Sequence, residues 1–300
     1  SGKTTVLVTR LGYMIYCLGI APQNILTMTY TVASTNNMRA RFCSFFGEEM
    51  ASCLQFRTIN GVCAKIIQSY ERATGGSAFE LLTDEKEISA MLLGIYKNVL
   101  NQFPTESDIK AVRSLITYAK NMMLSVEEIQ KLDEQTECFS EIYKTYCLEL
   151  RNRCFMDYDD QMIYAYRILQ KYPQILERLR AQYPYICVDE AQDTSKIQHA
   201  IISLLAGKNG NLFMVGDEDQ SIYGFRAAYP DALMNFGNEH EGSKVLLMEH
   251  NYRSSANIVL AADKFIQKNF FRHAKKIKPT RDEGNAIREI PLLGRKAQYS

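Results

Sequence analysis

The feature that most constrains this chain is a pair of carboxylates that directly follows a short apolar segment. Residues 185–188 read Tyr-Ile-Cys-Val and are followed by Asp189 and Glu190. A short apolar run bounded by polar residues is typical of a strand buried on both faces, as in a parallel sheet covered by helices. Ligands of open α/β sheets bind at the carboxyl ends of the strands. This segment therefore predicts a parallel sheet with a polar site at that edge.

Two other apolar segments end in the same way. Residues 25–30 and 211–215 are predicted strands, and the second is followed by Asp217 and by a polar loop that contains Gln220. The amide of Gln220 can donate to a phosphate oxygen while its carbonyl holds water, so this residue is a candidate γ-phosphate sensor. Three strands with polar carboxyl ends predict one composite site.

The first five residues match the second half of the phosphate-binding loop, GxxxxGKS/T, and a segment with helical periodicity follows. Unpaired backbone N–H groups at a helix N-terminus hold phosphate oxygens. Lys3 is expected to reach the β- and γ-phosphates, and the Thr4 hydroxyl is expected to bind Mg²⁺. With this loop upstream, Asp189 is predicted to hold Mg²⁺ through its water shell and Glu190 to act as general base toward water. The pattern predicts an ATP site.

Aromatic side chains beside arginines indicate stacking on bases. Tyr223 and Phe225 lie two residues apart, so both rings face one side of an extended loop, and Arg226 follows them. Tyr252 and Arg253 follow an apolar run at a predicted strand end. A ring stacks on a base, and a guanidinium lies over the ring or reaches a phosphate. Packing in the core is the alternative for Tyr223 and Phe225.

Taken in order, these segments resemble the motifs of superfamily-1 DNA helicases of the UvrD/PcrA/Rep type. The matching segments are SGKTT, ILTMTYTVASTNNM, DYDDQM, VDEAQDT, VGDEDQSIYGFRAA and NYRS. The resemblance implies an α/β fold in which a RecA-like P-loop NTPase sheet carries an inserted all-helical subdomain and is followed by the start of a second RecA-like domain. It also implies an ATP hydrolase, with ATP and Mg²⁺ as cofactors, that moves 3′ to 5′ along single-stranded DNA or a duplex with a single-stranded tail. A role in DNA repair is typical of the family.

The resemblance assigns roles residue by residue, with Gln220 linking the ATP state to the grip on DNA and Tyr252 stacking on adenine. The expected catalytic residues are Glu190, Lys3, Gln220 and Arg253. The expected nucleotide-binding residues are Ser1, Gly2, Lys3, Thr4, Thr5, Gln220, Tyr252 and Arg253. The expected metal ligands are Thr4 and Asp189. The expected DNA-binding residues are Tyr30, Thr58, Asn60, Tyr223, Phe225 and Arg226.

Departures from the family pattern affect the expected DNA contacts more than the ATP contacts. Ala33 stands where the family has Lys, and residues 58–61 lack the aromatic residue and the His of the family's TFHS segment. The first half of the phosphate loop and the family's later motifs are not in this sequence. We therefore expect a fragment of a longer protein that does not unwind DNA by itself.

The spacing of the motifs predicts the domain organisation. Lys3 and Asp189 lie farther apart than a minimal ATPase sheet requires, so a segment is inserted between them. Residues 1–82 and 156–243 are predicted to form the first RecA-like domain, residues 83–155 the helical insert and residues 244–300 the start of the second RecA-like domain. Within the insert, the pattern predicts helices at 85–100, 106–123 and 126–151, with Thr83 and Ser125 as caps.

Composition excludes several classes of protein. Hydrophobic residues make up 46% and charged residues 23% of the chain, and its formal charge is +1, so a disordered chain and a polycation are excluded. Apolar runs fall short of the ~18–20 residues of a membrane span, so no membrane role is expected. The eight cysteines include no CxxC pair, which predicts free thiols in the reducing cytoplasm. The acidic run 157–160 is expected to start a helix rather than to hold a metal.

Two rival functions remain open from the sequence. One is a P-loop ATPase switch that is not a motor, whose hydrolysis would not respond to single-stranded DNA. The other is a nucleic-acid-binding module with an impaired ATP site, whose binding would not respond to ATP. RNA as the track also remains open, because stacking does not distinguish the sugars. The pathway and any repair or recombination partner proteins stay unknown.

Overall fold

The computed structural model describes residues 2–77, 79–208, 210–221, 224, 227–270 and 272–288. Its strands are β1 (Ile25–Thr29), β2 (Gln55–Thr58), β3 (Glu80–Leu81), β4 (Phe155–Met156), β5 (Tyr185–Val188), β6 (Asn211–Met214), β7 (His250–Asn251) and β8 (Lys278–Pro279). Its helices are α1 (Lys3–Tyr16), α2 (Val32–Phe46), α3 (Glu48–Cys53), α4 (Ile59–Thr74), α5 (Glu85–Leu100), α6 (Glu106–Asn121), α7 (Val126–Lys131), α8 (Phe139–Asn152), α9 (Tyr158–Lys171), α10 (Pro173–Gln182), α11 (Lys196–Ala206), α12 (Asp231–Met234), α13 (Phe236–Glu239) and α14 (Ala256–Ile266). The described residues form two units, one of residues 4–241 and the other of residues 2–3 and those from 242 onward.

A parallel sheet of four strands, in the order β2-β1-β5-β6, forms the centre of the larger unit. The three predicted strands are present, and Met28, Val188 and Met214 lie side by side in register. Their carboxyl ends therefore meet at one edge. Strand β2 was not predicted, because its four residues alternate in polarity over too short a run and are only half-buried at the sheet edge.

Helices cover both faces of this sheet, since alternate residues of a strand point to opposite sides. Leu26 and Ile186 pack in a core with apolar residues of α4, α9, α10 and α11. Ile25 and Cys187 pack in a second core with apolar residues of α1 and α2, including the fully buried Phe42. The two central strands, β1 and β5, are thus buried on both faces, as their apolar sequences predict.

Residues between β3 and β4 form a helical segment with its own core, built from apolar side chains of α5, α6 and α8. The predicted helix at 85–100 matches α5, but its cap is Asp84 rather than Thr83, because the Asp84 carboxylate accepts from the Lys86 N–H at 2.8 Å. Ser125 caps α7 as predicted, in a reciprocal pair with Glu128.

The single helix predicted over 126–151 is wrong. Helix α7 ends at Lys131, a 3₁₀ turn follows, and Cys138 takes a left-handed conformation with φ 53° before α8 begins. The carboxylate of Asp133 accepts from the backbone N–H of Ser140 at 2.7 Å and thereby satisfies the first turn of α8. A local carboxylate that competes for backbone donors is what separates the two helices.

A buried ion cluster joins α6 to the start of α9. Lys120 is 2% exposed, and its Nζ lies 2.7 Å from Asp157 Oδ2 and 2.8 Å from Asp160 Oδ1. The Tyr146 hydroxyl donates to the same Asp157 oxygen at 3.0 Å. Burial alone would lower the pKa of Lys120, but the two carboxylates raise it well above its ordinary value. Asp157 also caps α9, accepting from the Asp160 N–H, as the expected helix start requires.

In the smaller unit, β7 and β8 pair in parallel beside α14. The apolar run 245–248 forms no strand, and Leu246 is 82% exposed. A strand forms only where a neighbouring strand pairs with its backbone groups. Here that pairing begins at Glu249, whose carbonyl accepts from the Lys278 N–H. Among the described residues, none of the helices combines the length and apolar character that a bilayer-spanning segment requires.

Candidate nucleotide and DNA site

The phosphate-loop residues lie at the start of α1. Gly2 has φ 140°, a conformation that side chains rarely adopt, and helix α1 begins at Lys3. The first turn carries no acidic residue, so its positive dipole end is not neutralised locally. The Thr5 hydroxyl accepts from Arg41 Nη1 at 2.9 Å, which identifies a basic side chain of α2 that the sequence motif did not indicate.

The two carboxylates follow β5 in different environments. Asp189 is 3% exposed, and its backbone N–H donates to the Met28 carbonyl at 3.0 Å, which extends the sheet by one bond. Its Oδ1 accepts from the Glu190 N–H at 3.1 Å. Glu190 is half-buried and left-handed, with φ 50° and ψ 44°. Such a conformation costs a non-glycine residue about 1–2 kcal/mol and turns the chain sharply at this edge of the sheet.

A line of hydrogen bonds connects Glu190 to the loop after β6. Gln192 is 2% exposed, and its Nε2 donates to Glu190 Oε2 at 2.8 Å while its Oε1 accepts from the Asp217 N–H at 2.9 Å. Asp217 Oδ2 in turn accepts from Gln220 Nε2 at 2.7 Å. We call these four residues the Glu190–Gln220 relay. The relay brings together two predicted site residues that lie on different loops.

Close packing holds the relay in place. A Cβ added at Gly216 would lie 2.5 Å from Leu233 Cδ1 and 3.1 Å from Gln192 Oε1, so a side chain at this position would displace Leu233 and crowd the Gln192 amide. Gln192 was missed as a functional candidate, because an amide within DEAQDT gives no signal that it will be buried. Its role in the site follows from its hydrogen bonds to Glu190 and Asp217.

The expected DNA contacts Tyr30 and Asn60 line one cavity of about 520 Å³. Helices α6, α9 and α11 contribute the rest of its wall, and Asn60 Nδ2 donates to the Tyr158 carbonyl at 3.3 Å. Thr58 lies at the end of β2, where its Oγ1 accepts from the Gly61 N–H at 3.1 Å and caps α4. The structure therefore brings Tyr30 and Asn60 together and gives Thr58 a capping bond.

Side chains of the helical segment in this cavity were missed, because their sequence carries no motif. Arg113, Thr117, Asn121 and Asp159 all line it. Asp159 accepts from Thr117 Oγ1 at 2.9 Å and from Asn121 Nδ2 at 2.7 Å. Burial, with the neighbouring charge of Asp157, raises the pKa of Asp159 to about 6.

In the smaller unit, the segment NYRS forms a tight turn. Asn251 Oδ1 accepts from the backbone N–H groups of Arg253 at 2.9 Å and Ser254 at 3.0 Å. Tyr252 is 60% exposed, and Arg253 is exposed as well. Both side chains are therefore open to a ligand. The remaining predicted residues lie outside the described residues: Ser1, Tyr223, Phe225 and Arg226.

Comparison with known proteins shows similarity along nearly the whole chain. The family profile described as UvrD/REP helicase N-terminal domain matches residues 1–241. The chain is 32% identical over 289 residues to the ATP-dependent DNA helicase PcrA of Leuconostoc citreum, covering 96% of this chain and 38% of that protein. It is 32% identical over 290 residues to PcrA of Bacillus subtilis, covering 96% of this chain and 39% of that protein. It is also 30% identical over 295 residues to the putative ATP-dependent DNA helicase YjcD of Bacillus subtilis, covering 98% of this chain and 38% of that protein.

The chain thus spans about two fifths of the length of these curated relatives. The family match and the parallel sheet confirm the resemblance and the α/β fold class predicted from the sequence. ATP binding follows from the family. Because the profile covers most of the residues, this chain belongs to the UvrD/REP helicase N-terminal domain family.

Proposed function

We propose that this chain is the ATP-binding part of an ATP-dependent DNA helicase that translocates 3′ to 5′ on single-stranded DNA. The observation that carries the proposal is the Glu190–Gln220 relay, which joins a candidate general base to a candidate phosphate sensor. Relatives in the same family are named ATP-dependent DNA helicases. In a motor the state of the phosphate must also bias the residues that hold the track, and Gln220 is the relay residue proposed to respond to that state.

Mg²⁺ is part of the proposal, with Thr4 and Asp189 as its ligands. A hydroxyl at a helix start and a buried carboxylate at a strand end are hard oxygen donors, which suit this ion. When bound, Mg²⁺ neutralises charge on the phosphates. Lys3, together with the backbone of residues 1–5, is proposed to hold the phosphate oxygens.

Glu190 is proposed to accept the proton of the attacking water. A general base must point at one water molecule, and the bond from Gln192 Nε2 to Glu190 Oε2 fixes the orientation of the carboxylate. Gln220 is proposed to sense the γ-phosphate through its amide, whose orientation is set by the bond to Asp217. Arg253 is proposed to contact the same phosphate, and Tyr252 to stack on the adenine.

Tyr30, Thr58 and Asn60 are proposed to contact the single strand, with Tyr223, Phe225 and Arg226 adding stacking contacts. The cavity shared by Tyr30 and Asn60 supports this, because one ring and one amide suit a base without selecting its identity. A duplex with a single-stranded tail is the proposed substrate of the complete protein. Stacking does not distinguish the two sugars, so DNA as the track is proposed from the relatives' names.

We propose the domain boundaries 1–82 with 156–243 for the first RecA-like domain, 83–155 for the inserted subdomain and 244–300 for the start of the second. The separate core of the helical segment supports the insert. A cytoplasmic location is also proposed. All eight cysteines are free, and burial raises the pKa of both Cys63 and Cys187 to about 12, which suits structural thiols in a reducing compartment.

The test is the steady-state ATPase rate of the complete protein with and without single-stranded DNA. A motor predicts that DNA stimulates hydrolysis, because grip and phosphate state are coupled. Equal rates would favour the P-loop switch and contradict our proposal. Binding of DNA that ignores ATP, without hydrolysis, would favour the nucleic-acid-binding module.

Glu190→Gln tests the assignment of the base. We expect turnover to fall by about 10²–10⁴-fold while nucleotide affinity stays near the parent value, because the amide keeps the shape but cannot take the proton. Glu134→Gln is the matched control, since Glu134 is exposed in a turn of the helical segment. Hydrolysis at the parent rate by Glu190→Gln would remove this residue from the mechanism.

A further inference from the structure

A second concave surface of about 1190 Å³ lies between helices α8 and α9, and we call it the α8–α9 groove. Helix α9 turns Asp159 and Met162 toward the cavity described above, whereas Ile163, Arg167 and Lys171 line the groove. At 3.6 residues per turn these sets occupy different faces of α9. The groove is therefore separate from the proposed contacts to the single strand.

Four cations line the groove: Lys144 and Arg151 from α8, and Arg167 and Lys171 from α9. All four are exposed, and none has an ion-pair partner in the part of the chain that the structure describes. Exposed lysines and arginines usually have acidic neighbours on a mixed surface. Here two helices place like charges around one concavity.

Acidic side chains in the groove offset little of this charge. Asp160 lines it, and its carboxylate lies 2.8 Å from the buried Lys120, a cation that it shares with Asp157. Glu141 is the other carboxylate in the lining, and it is exposed. The groove therefore carries an excess of positive charge, although the whole chain has a formal charge of only +1.

The most exposed apolar side chains of the groove are aliphatic, whereas its five aromatic residues are half-buried: Tyr70, Phe79, Tyr143, Phe155 and Tyr164. Val126 is 68% exposed and Leu148 is 48% exposed. The ring of Phe79, by contrast, packs edge-on against Tyr164 with centroids 5.4 Å apart. Single-stranded nucleic acid gains affinity from free ring faces, and exposed aliphatic groups give it little. Aliphatic groups bordered by cations instead match a peptide with leucine-like side chains and carboxylates.

We propose that the α8–α9 groove binds an acidic, amphipathic segment of a partner protein. The apolar side chains of that segment cover Val126 and Leu148, and its carboxylates pair with the cations of α8 and α9. This function would be additional to ATP hydrolysis and movement on DNA. It gives the helical segment a role in recruitment that does not require residues of the nucleotide site.

The probe is a fluorescein-labelled helical peptide with leucine on one face and glutamate on the other, titrated with the 300-residue chain in an anisotropy assay. We expect saturable binding that weakens as salt rises, because exposed charge pairs are screened. The double variant Arg151→Glu/Arg167→Glu should bind about tenfold or more weakly. Leu148→Ser should also weaken binding. Because this variant leaves the charge of the groove unchanged, its loss of affinity would report the apolar contact.

Matched controls keep the outcome clear. Arg178→Glu/Lys208→Glu reverses two exposed cations outside the groove and should leave peptide binding unchanged. Circular dichroism checks the fold of each variant, and Lys144→Glu/Lys171→Glu repeats the test if the first double variant unfolds. Absence of peptide binding, or equal losses in groove and control variants, would overturn the proposal. It would also be overturned if labelled oligo(dT) binding, rather than peptide binding, were lost in the groove variants.

Discussion

Replacing Lys120 by Met removes the central charge of the buried cluster while keeping a side chain of similar length. In the parent chain, Lys120 Nζ lies within 2.8 Å of carboxylate oxygens of both Asp157 and Asp160. The variant leaves these two like charges buried and without their cation. Removing one partner of a buried ion pair costs about 3–5 kcal/mol, because the remaining charge has lost its solvation and gains nothing in return.

This cost is large against the ~5–15 kcal/mol that usually stabilises a domain. The cluster joins α6 to α9, so the loss should appear as weaker attachment of the helical segment as well as lower overall stability. Replacing the carboxylates together, as Lys120→Met/Asp157→Asn/Asp160→Asn, should restore most of the lost free energy. That recovery is expected because a buried group that is neutral pays a smaller desolvation penalty.

The assay is urea unfolding of the 300-residue chain followed by far-ultraviolet circular dichroism, since the chain contains no Trp. In the parent chain Lys120 lowers the pKa of Asp157 despite burial, so this carboxyl stabilises the fold above its ordinary pKa and the benefit is lost as pH falls. In Lys120→Met, burial without the cation raises that pKa. The deficit should therefore be largest at about pH 7.5 and shrink toward about pH 4, where the carboxyls of the variant take up protons and no longer carry an unpaired buried charge.

Lys110→Met is the control, because Lys110 lies on the same helix but its side chain is 73% exposed and pairs with Glu106 at the surface. This change should alter the free energy of unfolding by no more than about 0.5 kcal/mol. A deficit for Lys120→Met below about 1 kcal/mol would refute the stabilising role of the cluster. So would a deficit that does not change with pH.

Two further predictions concern the relay and the cavity. Gln192→Leu removes the bonds to Glu190 and Asp217, so kcat of the complete protein should fall by about 10–100-fold while nucleotide Kd changes by less than about threefold. Steady-state ATPase assays and nucleotide titrations measure these two constants. A kcat equal to that of the parent would show that the relay does not contribute to hydrolysis. Burial raises the pKa of Asp159 to about 6, so the folded chain keeps a proton that the unfolded chain releases, and this carboxyl lowers stability as pH rises from about 4 to about 6. The free energy of unfolding of Asp159→Asn, measured in urea, should therefore rise relative to the parent by on the order of 1–3 kcal/mol between about pH 4 and pH 7.5, less any loss from altered hydrogen bonds. If the stability of the variant changed with pH as the parent's does, the raised pKa of Asp159 would be contradicted.

Local patterns predicted most of the elements but not their interruptions. The strand at 185–188 and the helix at 85–100 have the predicted bounds, because periodicity and flanking polar residues act over a few positions. The break between α7 and α8 was missed, since Asp133 acts on Ser140 across a turn that helical periodicity does not reveal. Strand β2 was missed because an edge strand is defined by its neighbour β1 more than by its own residues.

The amino-acid sequence by itself determined the chemical groups of the site and the sheet edge that carries them, because a motif is read from adjacent residues. Only the tertiary structure decided what holds those groups. Gln192 connects the two loops because it bonds to Asp217, 25 positions away. Lys120 can be buried as a cation because it bonds to Asp157, 37 positions away. Burial and long-range pairing depend on how helices and strands pack, and no periodicity along the chain encodes them. The same packing gathers four cations of α8 and α9 around one groove, which the formal charge of +1 conceals.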